Sequence, residues 1–261
     1  MLKALWTYRH FIRAAILGDL RGRFARSALG GAWFVIHPLA LAMIFAFVLS
    51  EVMAAKLPGV AGKAAYPIYL LAGTAAWNLF SEILSRSVTV FIDNASTMKK
   101  ISFPRLCLPV IVWGGALINH ALLLLAVGIV FMAFGQFPHW TWIFLPLGAA
   151  IISMLAFGVG VLAGVFNVFA RDVGQVMAVA LGLWFWVTPI VYPLDALPPG
   201  ARDIVIANPM TPMVQFYQDI LLRHQSPDLV SLIYPTLFGA ALMSAAMLIF
   251  RRASPEMVDA L

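Results

Sequence analysis

The sequence predicts an all-α polytopic membrane protein with six transmembrane helices, and three observations predict it. Of its 261 residues, 62% are hydrophobic and only 11% are charged, with a mean hydropathy of +0.93. Soluble domains carry about a quarter charged side chains. The apolar residues also fall into blocks near the roughly 20-residue length that crosses a bilayer as a helix. Finally, the basic residues gather in alternate segments between those blocks, as the membrane's positive-inside bias requires.

"MLKALWTYRHFIRAAILGDLRGRFARS" opens the chain. Arginines interrupt it, and it lacks the clean apolar core of a cleavable leader. Leu5, Tyr8, Ile12, Ile16 and Leu20 follow helical spacing while Arg9 and Arg13 lie on another face. That pattern predicts an amphipathic helix in the headgroup plane, with its arginines toward anionic lipid. Residues 1–31 thus read as a cytoplasmic interface segment, 32–252 as the membrane domain and 253–261 as a cytoplasmic tail.

Spans are expected at 32–51, 66–85, 106–134, 142–169, 175–192 and 230–250. The third and fourth are long enough to tilt or project, and the fifth is short and ends at Pro189 and Pro193. With the N-terminus inside, Lys3, Arg9, Arg13, Arg21, Arg23, Arg26, Arg86, Lys99, Lys100, Arg105, Arg171, Arg251 and Arg252 face the cytoplasm. These are 13 of the 17 Lys and Arg residues; only Lys56, Lys63, Arg202 and Arg223 lie outside. The bias places both termini in the cytoplasm. It also accounts for the net charge of +6 without a nucleic-acid partner.

Two connecting segments are more than linkers. "NASTMKKISFPR", residues 94–105, is polar and basic. Asp93, Asn94 and Ser96 are candidate N-caps and Pro104 a stop, which predicts a short helix across the cytoplasmic face. The plainer alternative is a loop whose lysines anchor two spans at the headgroups. "YPLDALPPGARDIVIANPMTPMVQFYQDILLRHQSPD", residues 192–228, is too polar to cross, yet "DIVIA" and "MVQFYQDILL" are too apolar for a solvated linker. Two short helices broken at "NPMTP" and dipping into the outer leaflet satisfy both facts, with an amphipathic surface loop as the alternative.

Chemistry is conspicuous mainly where motifs are missing. H-E-x-x-H, C-x-x-C and G-x-S-x-G are absent, and Gly62-Lys63 lacks the upstream glycine of a phosphate loop. The lone Cys107 excludes an internal disulfide. Among ionisable groups at membrane depth, Glu82 and Arg86 lie four apart and read as a structural pair. His37 and His120 remain candidates for a proton path, although Asn119-His120 reads better as a hydrogen-bonding pair facing another helix. Asp195, Asp203, Asp219 and Asp228 are the acids open to a membrane enzyme acting on lipid-linked sugars, but they are scattered around prolines. A passive channel would leave the structured cytoplasmic segment unexplained. Trp33, Trp77, Trp184 and Trp186 read equally as packing groups or as flat faces for sugar rings. Trp140 and Trp142 fit an interfacial belt. "GVGVLAG", with Gly160 and Gly164, permits a close helix approach without naming the partner.

Six stretches together carry a family resemblance: "LGGAWFVIHPLA" (29–40), "YPIYLLAGTAAWNLFSE" (66–82), "KKISFPRLCLP" (99–109), "ARDVGQ" (170–175), "TPIVYPLDALP" (188–198) and "NPMTPMVQFYQDILL" (208–222). In that order, over nearly the whole chain, they resemble ABC-2-type permeases, specifically the membrane subunits of exporters for O-antigen and related polysaccharides. The resemblance implies a homodimer in the bacterial inner membrane, bound to two copies of a separate ATPase that carries the ATP and Mg, with no cofactor in this chain. It implies that residues 93–104 form the coupling helix and 194–222 the re-entrant outer gate helices, with spans one and five lining the path of a lipid-linked glycan. Asn94, Lys99, Lys100, Ser102 and Phe103 are then the residues expected at the ATPase. Arg9, Arg13 and Arg21 are expected at the lipid phosphate, and Trp33, Trp184, Trp186 and Tyr192 along the glycan. Exporters of capsule polymer, teichoic acid, small lipids or drugs share this architecture.

Overall fold

The computed structural model describes residues 2–24, 65–101, 103–133 and 137–260, with isolated positions at 32, 33, 36, 40 and 44. The expected first span, with His37, otherwise lies outside the described residues, as do Lys56, Lys63 and Ser102. Among the described residues every regular element is helical. They are α1 (Leu2–Thr7), α2 (Arg9–Phe24), α3 (Ala65–Asp93), α4 (Ala95–Lys100), α5 (Cys107–Ala133), α6 (Leu145–Phe169), α7 (Asp172–Val187), α8 (Pro199–Ala207), α9 (Met210–Gln218), α10 (Ile233–Ala253) and α11 (Met257–Ala260). A 3-10 turn, Trp140–Phe144, leads into α6, and a π-helical turn, Asp219–Arg223, ends α9.

Among the described residues, three helical stretches are long and apolar enough to cross a membrane: Cys107–Ile129, Trp140–Phe169 and Ile233–Ala253. They coincide with the expected third, fourth and sixth spans. The second expected span is exceeded at its C-terminal end, because α3 runs on past residue 85 to Asp93, 29 residues in all, about 43 Å at the α-helical rise. Glu82, Arg86 and Asp93 make it more polar than the other three. The fifth, α7, has 16 residues and stops at Val187. The hydroxyl of Thr188 there donates to the Trp184 carbonyl at 2.8 Å, and Pro189 follows with no N–H to continue the ladder.

α3 is the buried axis of the molecule. Leu70, Phe80, Ile83, Leu84 and Phe91 are fully covered, and α6 packs along it with α5, α7 and α9 around the remaining faces. α10 covers the far side of α6. The glycines of "GVGVLAG" explain the α3–α6 contact. A Cβ at Gly160 would stand 2.7 Å from the Ser87 Cβ, and one at Gly164 would strike the Ser87 carbonyl oxygen. Gly158 faces the opposite way, with the Met243 backbone nitrogen 2.8 Å from where its Cβ would be. In lipid, where apolar side chains gain little by leaving one apolar medium for another, such close backbone approach supplies much of the packing energy. At the end of the seam the Asn167 amide donates to the Val88 carbonyl at 2.9 Å and accepts the Gly174 N–H at 2.9 Å, joining α3, α6 and α7.

The N-terminal stripe is realised differently from expectation. The helix breaks at Tyr8, and Ile12 and Leu20 are buried against protein rather than left for lipid. α2 lies on α5, where Ile16 occupies the space a side chain at Gly114 would need.

Replacing Gly164 by Val is expected to lower the stability of the purified protein by at least about 2 kcal/mol, since the obstructing atom is backbone and cannot rotate away. Gly18→Ala, whose added methyl meets nothing within 4 Å, should change it by no more than about 1 kcal/mol, in the stabilising direction. Thermal unfolding in one detergent compares the two.

Candidate functional site

At the C-terminal end of α3 the short basic helix forms as the sequence predicts, but its ends are made differently. Asn94 stands at the N-cap position without capping. Its amide donates back to the Val90 carbonyl at 2.8 Å, while Asp93 accepts the Thr89 hydroxyl at 2.7 Å. The backbone bonds from Asn94 N to Val90 O (3.2 Å) and from Met98 N to Asn94 O (2.9 Å) close α3 and open α4 on the same residue. The helix ends at Lys100, with Ile101 extended, before Pro104 is reached. Met98 points inward and is buried, as is Met257 of α11, which packs beside α4. Lys99, Lys100 and Ile101 point outward. Phe103 is half-buried, its ring 5.6 Å from that of Phe11 in α2. Together they border a cavity of about 370 Å³.

A charged cluster ties this face to the spans. The Arg86 guanidinium contacts Asp19 of α2 at 2.8 Å and Glu82 at 3.4 Å. Glu82 also accepts the Asn119 amide of α5 at 2.7 Å. The expected Glu82–Arg86 pair is present, but its longer-range partner Asp19 has no counterpart in the sequence reading. Gly115 makes room for it: a Cβ there would lie 3.3 Å from Asp19 Oδ2 and 3.4 Å from an Arg86 nitrogen. His120 turns instead toward α9, its Nε2 2.9 Å from the Tyr217 hydroxyl. Of the interface arginines, Arg13 and Arg21 are exposed, and Arg9 lies over the Trp6 ring at 5.2 Å while donating to the Trp6 carbonyl.

The outer segment forms the two expected short helices, α8 and α9, broken at Asn208-Pro209. Asn208 is the hub that the sequence reading missed. Its carbonyl accepts the Trp184 indole N–H (2.8 Å) and the Met210 N–H (3.0 Å), while its amide donates to the Thr188 hydroxyl (2.9 Å). Trp184 also meets Phe80 edge-on at 5.0 Å, so its polar atom and one ring face belong to packing. Trp186 is 57% exposed and Trp33 53% exposed. Tyr192 donates to the Trp186 carbonyl at 2.8 Å. From the outer end of α3, Tyr66 bonds the Val191 carbonyl and Tyr69 the Pro189 and Tyr192 carbonyls, clamping the stretch that follows α7. The acids considered for an enzyme do not converge: Asp195 pairs with Arg202 and Asp219 with Arg223. Among the described residues no three His, Cys, Asp or Glu side chains are grouped to hold a metal.

A model described as "ABC-2 type transporter" matches residues 11–222. This chain belongs to the ABC-2 type transporter family. It is similar to the O-antigen export system permease protein RfbA of Myxococcus xanthus, with 26% identity over 100% of this chain and 99% of that one. A protein of the same name from Klebsiella pneumoniae is 30% identical over 90% of this chain and 88% of its own. The polysialic acid transport protein KpsM of Escherichia coli is 24% identical over 95% of each.

A double-mutant cycle with Asp19→Asn and Arg86→Ala is expected to return about 1 kcal/mol of coupling in thermal or chemical unfolding. Independent effects would mean that the ion pair does not hold α2 to the spans. His139 and His224 lie with rings 5.2 Å apart. Partial burial, with the neighbouring His139 adding to it, lowers the His224 pKa below its ordinary 6.5. The neutral ring is therefore favoured by folding, so the stability it contributes is present above about pH 6.5 and is lost as pH falls below that value. His224→Asn, which keeps a side chain tolerant of the left-handed backbone at this residue (φ 55°), should flatten the decline in melting temperature between pH 7.5 and 5.

Proposed function

We propose that the chain is the membrane subunit of an ATP-driven exporter that moves lipid-linked, O-antigen-like polysaccharide across the bacterial inner membrane. The observation that carries this reading is end-to-end similarity to O-antigen export permeases, covering 100% of this chain and 99% of the relative. The absence of a phosphate loop from the sequence fits an arrangement in which a separate ATPase subunit holds ATP and Mg. Similarity to a polysialic acid transport protein favours, as a second reading, export of a capsule-type polymer by the same architecture.

In this reading the chain has six spans with both termini in the cytoplasm, and two copies assemble with two ATPase subunits. α7 buries none of its residues within the single chain, and the exposure of Val176, Val179, Leu183 and Trp186 supports a second copy or the glycan path beside it. Residues 1–31 form the interface segment, 32–252 the membrane domain and 253–261 the tail. The 93–104 segment couples to the ATPase through Lys99, Lys100, Ser102 and Phe103, with Asn94 as the joint. Arg9, Arg13 and Arg21 meet the lipid pyrophosphate, to which guanidinium groups are suited. Trp33, Trp186 and Tyr192 contact sugar, with Trp184 behind them. The 194–222 segment is the outer gate. ATP-driven closure of the partner pushes on α4, and α3 carries that displacement to the outer end, where Tyr66 and Tyr69 hold the stretch leading into the gate.

Lys99→Glu combined with Lys100→Glu is expected to reduce glycan export and permease-dependent ATPase stimulation by about a hundredfold, because like-charge contacts at an interface cost several kcal/mol. The permease should remain in the membrane at normal abundance. Undiminished stimulation by the double variant would overturn the coupling assignment.

A further inference from the structure

We propose that a cavity of about 140 Å³ beneath the outer segment is a binding site for one sugar ring, recognised through its hydroxyl groups. The proposal rests on the polysaccharide reading above and gives it a specific contact point. In volume the cavity is close to the ~150 Å³ that holds a benzene ring in an engineered protein interior, and it is partly open, so it can take one face of a single sugar ring with the remaining substituents at the opening.

Its floor is fixed. Gln218 is only 3% exposed, and its amide donates to the Pro189 carbonyl at 3.2 Å. The Tyr69 hydroxyl lies 3.1 Å from the same carbonyl and 2.9 Å from that of Tyr192. Gln215 sits three residues before Gln218 and therefore on the same side of α9. Gln215 also lines the cavity, yet among the described residues its side-chain amide has no protein partner. A primary amide offers two donors and one acceptor, and here all three are available to whatever occupies the space. A half-buried amide presented in this way beside a rigid, hydrogen-bonded floor suits a ligand rich in hydroxyls.

Charge argues for a neutral ligand rather than a phosphate. Arg202 and Arg223 both line the cavity, but each is compensated: Arg202 by Asp195 at 3.2 Å and Arg223 by Asp219 at 2.8 Å. A guanidinium with five N–H donors keeps some free after pairing with one carboxylate, so the rim can still bond to hydroxyls without attracting an anion strongly. Pro189 and Pro193 provide an apolar wall for the C–H face of a pyranose. The few polar groups converging on a partly apolar concavity match small-molecule sites in general. Affinity at such a site is low because each hydrogen bond replaces one to water. A moving polymer needs that, since conduction requires binding weak enough to permit release.

The test uses the permease–ATPase complex in nanodiscs. The probe is repeat-unit oligosaccharide released by mild acid from the delipidated surface polymer of cells that make this protein. Saturation-transfer NMR is expected to detect it on the unmodified complex. Gln215→Ala should weaken the apparent affinity about fivefold, the effect of one lost hydrogen bond, and Arg202→Ala should act in the same direction. Gly200→Ala, whose added methyl meets nothing within 4 Å, should leave the signal intact. Equal signal from the unmodified complex and the Gln215 and Arg202 variants would overturn the site. So would displacement of the sugar by millimolar glycerol phosphate, which would mark a headgroup site instead. Absence of signal from the unmodified complex, in cells whose surface polymer depends on the gene, overturns the site alone. Surface polymer that persists unchanged after deletion of the gene overturns the polysaccharide reading and the site with it.

Discussion

The structure depends on the close approach of α3 and α6 at Gly160 and Gly164. Everything else is positioned from that seam. Because the two backbones meet where Ser87 and Leu84 would otherwise be held away by side chains, α3 becomes a buried axis rather than a peripheral span. α9, α7 and α5 can then pack around its remaining faces. The polar residues of α3 are affordable only in that setting: Glu82 and Arg86 are compensated by Asp19 and Asn119 from two other helices. An isolated span of the same sequence would have to carry those charges uncompensated near lipid, at a cost of several kcal/mol.

The two ends of α3 are therefore parts of one mechanical element. α3 begins with two tyrosines that hold the chain after α7 and ends at the basic helix α4. The N-terminal helix joins the same element sideways through the Asp19–Arg86 pair and the Gly114-Gly115 seat on α5. α11 closes it from below through Met257, with Arg105 donating to Ser254 at 3.2 Å and Phe91 stacked on Phe250. A displacement applied to α4 thus meets α3 and α11 directly.

Much of this was legible in the sequence, and the boundary between legible and hidden is physical. The positions of α5, α6 and α10 follow from uninterrupted apolar blocks, and the α8–α9 pair follows from prolines flanking short apolar runs. Those signals are local, fixed by a few consecutive side chains. The inner extension of α3 was hidden because "SRSVTVFID" is polar enough to resemble a loop, and it becomes helical by packing against α6. Asp19 and Arg86 lie 67 residues apart, so no spacing rule connects them. The stripe on α2 was correctly recognised as helical, but periodicity does not reveal whether lipid or protein covers a face. Asn208 could have been suspected from Asn-Pro as a turn signal, though nothing local indicates that it bonds Trp184. Gly160 and Gly164 announced a close contact and left its partner open, because glycine advertises a space without specifying its occupant.

The junction at Asn94 has a further consequence. One residue separates α3 from α4 and bonds to both, its N–H closing the ladder of α3 and its carbonyl opening that of α4. Such a joint has little play. A tilt imposed at the basic end is passed on in proportion and in step, as in a crank forged to its shaft, rather than absorbed as it would be by a hinged rocker. A part built in this way moves by degrees that follow whatever displaces it.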